Sequence, residues 1–161
     1  MTEWEGFLNT WEREFQTTMK VLRNFPPDKM DFKPHEKSRT AANIAEGFII
    51  EEKFLLDILR GKLDFEKLKY ENPGRWEDIL KSYETVHTDT MRKVKRLGKT
   101  AFKKTMPFPA RGGKMEKLNR SALAWMALYD FIHHRGQFSV YLRMVGGKVP
   151  AIYGPSLDEP W

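Results

Sequence analysis

The sequence predicts an all-α protein: a four-helix bundle with a long crossing between its first two helices and an irregular C-terminal tail. Three observations predict it. Four stretches repeat apolar residues every three to four positions, the spacing of helices with one buried face. Proline and glycine gather between those stretches. No stretch alternates convincingly with the period of two that marks a strand.

The first helix runs from about Glu3 to Asn24 through Trp4, Phe7, Leu8, Trp11, Phe15, Met19 and Leu22. Pro26-Pro27 ends it, because proline lacks the N–H that an interior helical position needs. The crossing PPDKMDFKPHEKS leads to Ser38 or Thr40, whose hydroxyls suit an N-cap. A second helix follows to about Leu59, with Ile44, Phe48, Leu55 and Leu59 on one side. A crossing of about a dozen residues is long for antiparallel neighbours, so these two helices are expected to lie parallel or diagonal. Gly47 stands in the middle of the second helix, where glycine costs ~1 kcal/mol relative to alanine, and it needs a reason.

The third helix is expected after Pro73-Gly74, carrying Trp76, Ile79, Leu80, Tyr83, Val86, Thr90, Met91, Val94 and Leu97 and ending at Gly98. The connection KKTMPFPARGGK is rich in proline and glycine, and its pattern leaves open a short extended piece. The last helix starts near Asn119 or Ser121 and ends at Gly146-Gly147. Four amphipathic helices bury their stripes most simply against one another, and such bundles build sites in their interior.

The 161 residues are the size of one domain, residues 1–161, able to bury a core without disulfides. Cysteine is absent, which excludes disulfide frameworks, thiolate metal sites and cysteine nucleophiles and fits a reducing interior. The N-terminal MTEWEGFLNTWEREF has neither the basic nor the apolar region of a secretory signal. The longest uncharged helical run, Ser121 to Tyr129, is far shorter than the ~20 residues of a membrane span. A soluble, cytoplasmic protein without membrane contact is expected.

The formal net charge is +6, with much of the excess in RKVKRLGKTAFKK, Arg92 to Lys104. Such a cluster binds phosphate backbones by counterion release, or is a solvated helix end whose cations favour the negative pole of the helix dipole. No recognition motif accompanies it, and the aromatics fall at helical spacing, as core residues do. Nucleic acid therefore ranks last among the partners considered.

The fourth helix carries two stripes. Ala122, Trp125, Tyr129, Ile132, Gly136, Val140 and Met144 form an apolar stripe expected to face the core. About a quarter-turn round, Met126, Asp130, His134, Gln137 and Tyr141 stack at steps of four, four, three and four. His133 and His134 diverge by ~100°, so only His134 aligns with Asp130. A carboxylate and an imidazole four apart can hold a divalent metal from one helix face, but a third ligand must come from another helix. The second helix has no histidine to supply it; His35 lies in the crossing and His87 in the third helix. From the residues alone, a plain hydrogen-bonded pair competes with a metal site.

The stretches DKMDFKPHEKSRTAANIAEGF (Asp28–Phe48) and HHRGQFSVYLRMVGGKVPAIYGPSLDE (His133–Glu159) resemble the DinB-like superfamily, in order and across nearly the whole chain. The resemblance implies a four-helix bundle, commonly dimeric. It implies a divalent ion such as nickel or zinc on three histidines, one near the middle of the second helix and two spaced H-x-x-x-H before the Arg-Gly-Gln run. It also implies, for some members, thiol S-transfer with bacillithiol, mycothiol or a similar low-molecular-weight thiol.

Those three positions fall here on Gly47, Asp130 and His134. Asp130 can ligate; Gly47 offers no side chain. Gly47 then has two readings. Either the site is lost and a metal-free, dimeric binding or interaction protein remains, with a cavity opened at Gly47, or Glu51, one turn on, takes the vacancy. Asp130, His134 and Glu51 would suit manganese, iron or zinc better than a softer ion. The resulting enzyme would be a transferase or hydrolase, with Gln137 or Tyr141 orienting substrate. Arg135 and Arg143 are read as structural, pinning the tail through Asp158 and Glu159, with Tyr153 tucked in. Gly136 is read as permitting a close helix approach.

Overall fold

The computed structural model describes residues 1–160 apart from 65, 67, 72, 73 and 110–112. Four helices, α1 (Glu3–Arg23), α2 (Ala41–Arg60), α3 (Trp76–Phe102) and α4 (Arg120–Met144), are joined by a 3-10 turn, Pro27–Lys29, and a hairpin of β1 (Thr105–Pro109) and β2 (Met115–Asn119). α2 packs on α3 and α4, and α1 packs on α4 and α3. Among the described residues no helix is long and apolar enough to cross a membrane.

Local chemistry sets the helix ends. Thr2 and Glu5 form a reciprocal capping box on α1. Thr40, of the two candidates, caps α2, its hydroxyl accepting the Asn43 N–H at 3.1 Å. α2 runs to Arg60 and stops at Gly61, whose φ of +79° is a left-handed C-cap. Arg120 fills the space beside that glycine and donates to the Leu59 carbonyl at 2.8 Å, so any side chain at 61 would collide with the guanidinium. α3 opens at Trp76, and Pro73 of its expected start lies outside the described residues. Gly98 breaks the helical path at φ +70°, yet helical structure resumes to Phe102. That last turn buries Phe102 against Trp4 and Phe7, ring centroids 5.2 and 5.3 Å away.

The hairpin corrects the all-α expectation. β1 and β2 pair antiparallel, with Met106 opposite Leu118 and Phe108 opposite Glu116. Met106 is buried beneath the pair. The alternating pattern is disguised by Pro107 and Pro109, which a two-stranded ladder accommodates because alternate residues of an edge strand direct their N–H away from the partner. Residues 110–112 of the same connection lie outside the described residues.

The core face of α4 is also a correction. Leu123, Ala124, Ala127, Leu128, Phe131, Arg135, Phe138, Tyr141 and Leu142 are buried. Tyr129, Val140 and Met144 of the expected apolar stripe are exposed, and Gly136 is exposed with open space where a Cβ would stand, so it serves no close approach. Polarity misdirects the reading because the true core stripe contains an arginine. Arg135 is 2% exposed and pairs with Glu14 of α1, itself 1% exposed. Its second nitrogen donates to the Tyr153 hydroxyl at 2.5 Å, and that hydroxyl donates to Glu14 at 2.6 Å.

The tail is tied down by a different set. Arg143 meets Asp158 at 2.6 Å, whereas Glu159 goes to Lys20 at 2.6 Å. Asp158 and Glu159 also accept the backbone N–H groups of Val149 and Ala151. Val149 and Ile152 then pack on the core. Tyr153 is largely exposed, but its ring lies 5.0 Å from the Arg135 guanidinium and its hydroxyl reaches Glu14.

Replacing Arg135 alone leaves Glu14 a buried charge without its counter-ion. Arg135→Met is expected to cost about 3–5 kcal/mol in urea denaturation, while the double variant Glu14→Leu/Arg135→Met recovers most of it. A loss below about 1 kcal/mol in the single variant would show that the pair does not hold α1 to α4.

Candidate metal centre

The groove between α2 and α4 brings three residues together. Glu51 comes from the middle of α2, Asp130 and His134 from successive turns of α4. His134 Nδ1 lies 3.1 Å from Glu51 Oε1 and 3.4 Å from Asp130 Oδ2. One ligand atom from each residue falls within 4.8 Å of the others. Glu51 is buried, His134 half-buried and Asp130 exposed, so the set has a closed side and an open one.

The surroundings of Glu51 disfavour its charged form. Burial pushes its carboxyl up from 4.5 to about 7, aided by the charges of Asp130 and Glu52 and opposed by His134. Its Oε2 is buried without a hydrogen-bond partner. A buried carboxylate oxygen left bare is costly unless a proton or a cation reaches it. Two carboxylates and one imidazole form an oxygen-rich donor set within the range of zinc, manganese and iron.

Gly47, one turn before Glu51, does not open a void. The Arg39 guanidinium lies over it, with Nη1 3.6 Å from where a Cβ would be. Glu46 is turned away and bonds Asn43 at 3.3 Å. Gln137 bonds His133 at 3.1 Å and Tyr141 donates to the Arg39 carbonyl at 3.0 Å, so neither bonds the three residues. Both line a neighbouring cleft of about 420 Å³. Glu51 and Asp130, without His134, line a different cleft of about 580 Å³ together with Phe54, Met126, Ala127, Tyr129 and His133.

A second ionisable cluster lies deeper. His87 of α3 is stacked on Phe15 and held between Glu52 Oε1 at 2.8 Å and Glu12 Oε2 at 3.1 Å. Trp11 donates to the same Glu52 oxygen at 2.9 Å. With a carboxylate on each ring nitrogen, His87 is a double donor and not a ligand. Burial, the largest influence, pushes its pKa down, but the bonds and charges of Glu52 and Glu12 outweigh it and leave it above 6.5.

Sequence reading missed Glu14, Glu52, Glu12 and Arg39. For Glu52 the signal exists: it continues the stripe of Phe48, Leu55 and Leu59 at helical spacing, and a charge within an apolar stripe asks for a buried partner. Glu14 likewise follows Phe7 and Trp11. Arg39 has no such signal, because only the fold of the crossing carries it over Gly47.

The comparisons with known proteins agree with this architecture. A family model described as the DinB family matches residues 1–160. Among solved structures, the chain is similar to a DinB-like protein from Bacillus cereus, with 23% identity, 92% of this chain and 97% of that one covered, and a TM-score of 0.78. It is also similar to a DinB-like protein from Bacillus subtilis, with 19% identity, coverage of 89% and 94%, and a TM-score of 0.74. At these identities the likeness establishes the fold. No curated protein matches the chain.

The raised His87 pKa has a signed consequence for stability. Its contribution is fully present below 6.5, the ordinary value, and is lost as pH rises through the higher folded value. Glu51 adds a loss of the same sign between 4.5 and about 7. Urea midpoints of wild type and His87→Gln, compared from about pH 6 to about pH 9, are therefore expected to converge as pH rises. A constant difference across that range would contradict the assignment.

Proposed function

Because the chain belongs to the DinB family, we propose that its four helices act as a bundle whose α2–α4 groove binds one divalent cation through Glu51, Asp130 and His134. The observation that carries this is the bare, buried Glu51 oxygen within a compact set of three donors from two helices. Two carboxylates and one imidazole suit zinc, nickel, manganese or iron. When bound, such an ion lowers the pKa of a thiol or water, the chemistry of a thiol transferase or hydrolase.

The chain's own residues define how that chemistry is framed. Glu51 and Asp130 converge on His134 Nδ1, so they set the ring's orientation, and a cation at that nitrogen would replace these contacts. Buried Glu51 closes the inner side against water, and exposed Asp130 leaves the outer side open to a substrate from the adjoining cleft. A low-molecular-weight thiol as co-substrate and a homodimer are parts of this proposal that rest on the family resemblance. A second reading, a metal-free binding protein, draws support from Arg39, a cation placed where the family's third ligand would stand.

Untagged protein, stripped with a chelator and dialysed against zinc or manganese, is expected to retain one ion per chain by elemental analysis. Asp130→Ala and His134→Ala should each weaken binding by about tenfold or more, about 1.4 kcal/mol, with the helical circular-dichroism spectrum of the metal-free forms retained. Failure to retain a stoichiometric ion decides for the metal-free reading.

A further inference from the structure

Two clefts of different character lie along α2 and α4, one lined by Glu51, Asp130 and apolar side chains and the other by Lys37, Arg39, Gln137 and Tyr141. At one end Phe54, Met126, Ala127 and Tyr129 border the larger cleft, with Met126 43% and Tyr129 64% exposed. The acidic set of Glu51 and Asp130 with His134 lies next. One to two turns further along α4, Gln137 and Tyr141 face Lys37, Ser38 and Arg39 across the second cleft.

At the cationic end the backbone is fixed, while the side chains of Lys37 and Arg39 are exposed. Tyr141 bonds the Arg39 carbonyl, Thr40 caps α2, and the N–H groups of Ala41 and Ala42 bond the carbonyls of Phe32 and Met30, each at 2.9 Å. The backbone of Arg39 is thus held while its side chain extends over Gly47. Neither Arg39 nor Lys37 has an ion pair among the described residues. A guanidinium is a planar fork of donors with no acceptor, shaped for a carboxylate or phosphate, and the N-terminal pole of α2 adds positive potential at the same place. Gly47 makes this possible, since an imidazole at 47 would claim the space the guanidinium occupies.

We propose that the ligand of this groove is an elongated amphiphilic anion. Its carboxylate or phosphate head lies at Arg39 and Lys37, its apolar body lies on Phe54, Met126 and Tyr129, and its reacting group lies between them at Glu51, Asp130 and His134. The inference rests on the proposal that those three residues form the reacting centre. Charge sets the orientation: Asp130 and Glu51 repel an anionic head from the middle of the groove, and Arg39 attracts it at one end. Ten residues of α4 separate Ala127 from Gln137, a span of ~15 Å at the helical rise, which sets the ligand's length.

The probes are decanoate, decyl phosphate and the uncharged decanamide, titrated against chelator-treated and zinc-loaded protein by tryptophan fluorescence. At least one anion is expected to bind about tenfold more tightly than decanamide, and the tighter of the two names the head group. Arg39→Gln removes that preference while leaving the urea midpoint and the zinc content unchanged. Decanamide binding as tightly as both anions, or Arg39→Gln retaining the preference, overturns the proposal. Because zinc content is measured separately, anion selectivity without retained zinc sinks the metal proposal alone, and retained zinc without selectivity sinks this one alone.

Discussion

Two buried ion pairs determine how the helices are turned. Glu14 with Arg135 joins α1 to α4, and Glu52 with His87 joins α2 to α3. Each of the four groups sits in the core stripe of its helix, at 3% exposure or less. An unpaired charge at such depth costs several kcal/mol, so a rotation that separates either pair is excluded far more strongly than one that merely shuffles apolar contacts. The centre follows from that constraint. With Arg135 directed inward, its neighbour His134 lies ~100° round α4, and with Glu52 directed inward, Glu51 lies ~100° round α2. Both neighbours are thereby aimed at the groove the two helices share.

The same arrangement explains why Glu51 is so perturbed. It is buried, it faces Asp130, and the next residue is a second buried carboxyl engaged with His87. His134 alone opposes the accumulation of negative charge, which leaves Glu51 Oε2 bare. Arg39 adds positive charge one turn away at Gly47 without bonding any of the three residues. The groove therefore couples an electron-rich middle to a cationic end and an apolar end. That is a different chemical surface from the one three imidazoles would create, although the backbone is that of the same family.

The elements differed in how plainly the chain announced them. α1, α2 and α4 are readable within a few residues because apolar residues recur at helical spacing along most of each and proline, threonine or glycine marks their ends. The hairpin is hidden by Pro107 and Pro109, and the end of α3 by helical structure that resumes beyond Gly98. The core face of α4 is misread for a deeper reason. Polarity sorting assumes that a charged side chain lies outside, and Arg135 breaks that assumption through a partner 121 residues away.

The pairing of Asp130 with His134 was legible because it is local: a four-residue step on a helix places two side chains together whatever surrounds them. Glu51 was legible as a candidate for the same reason, one turn from Gly47 on α2. Sequence by itself thus determined the helices and the closeness of Asp130 to His134. Only the tertiary structure decided that Glu51 meets His134, that Arg39 covers Gly47, and that Glu52 and His87 pair within the core. Each of those contacts joins residues from different elements, and their distance in space depends on helix rotation and loop path, which the periodicity of a single segment does not encode.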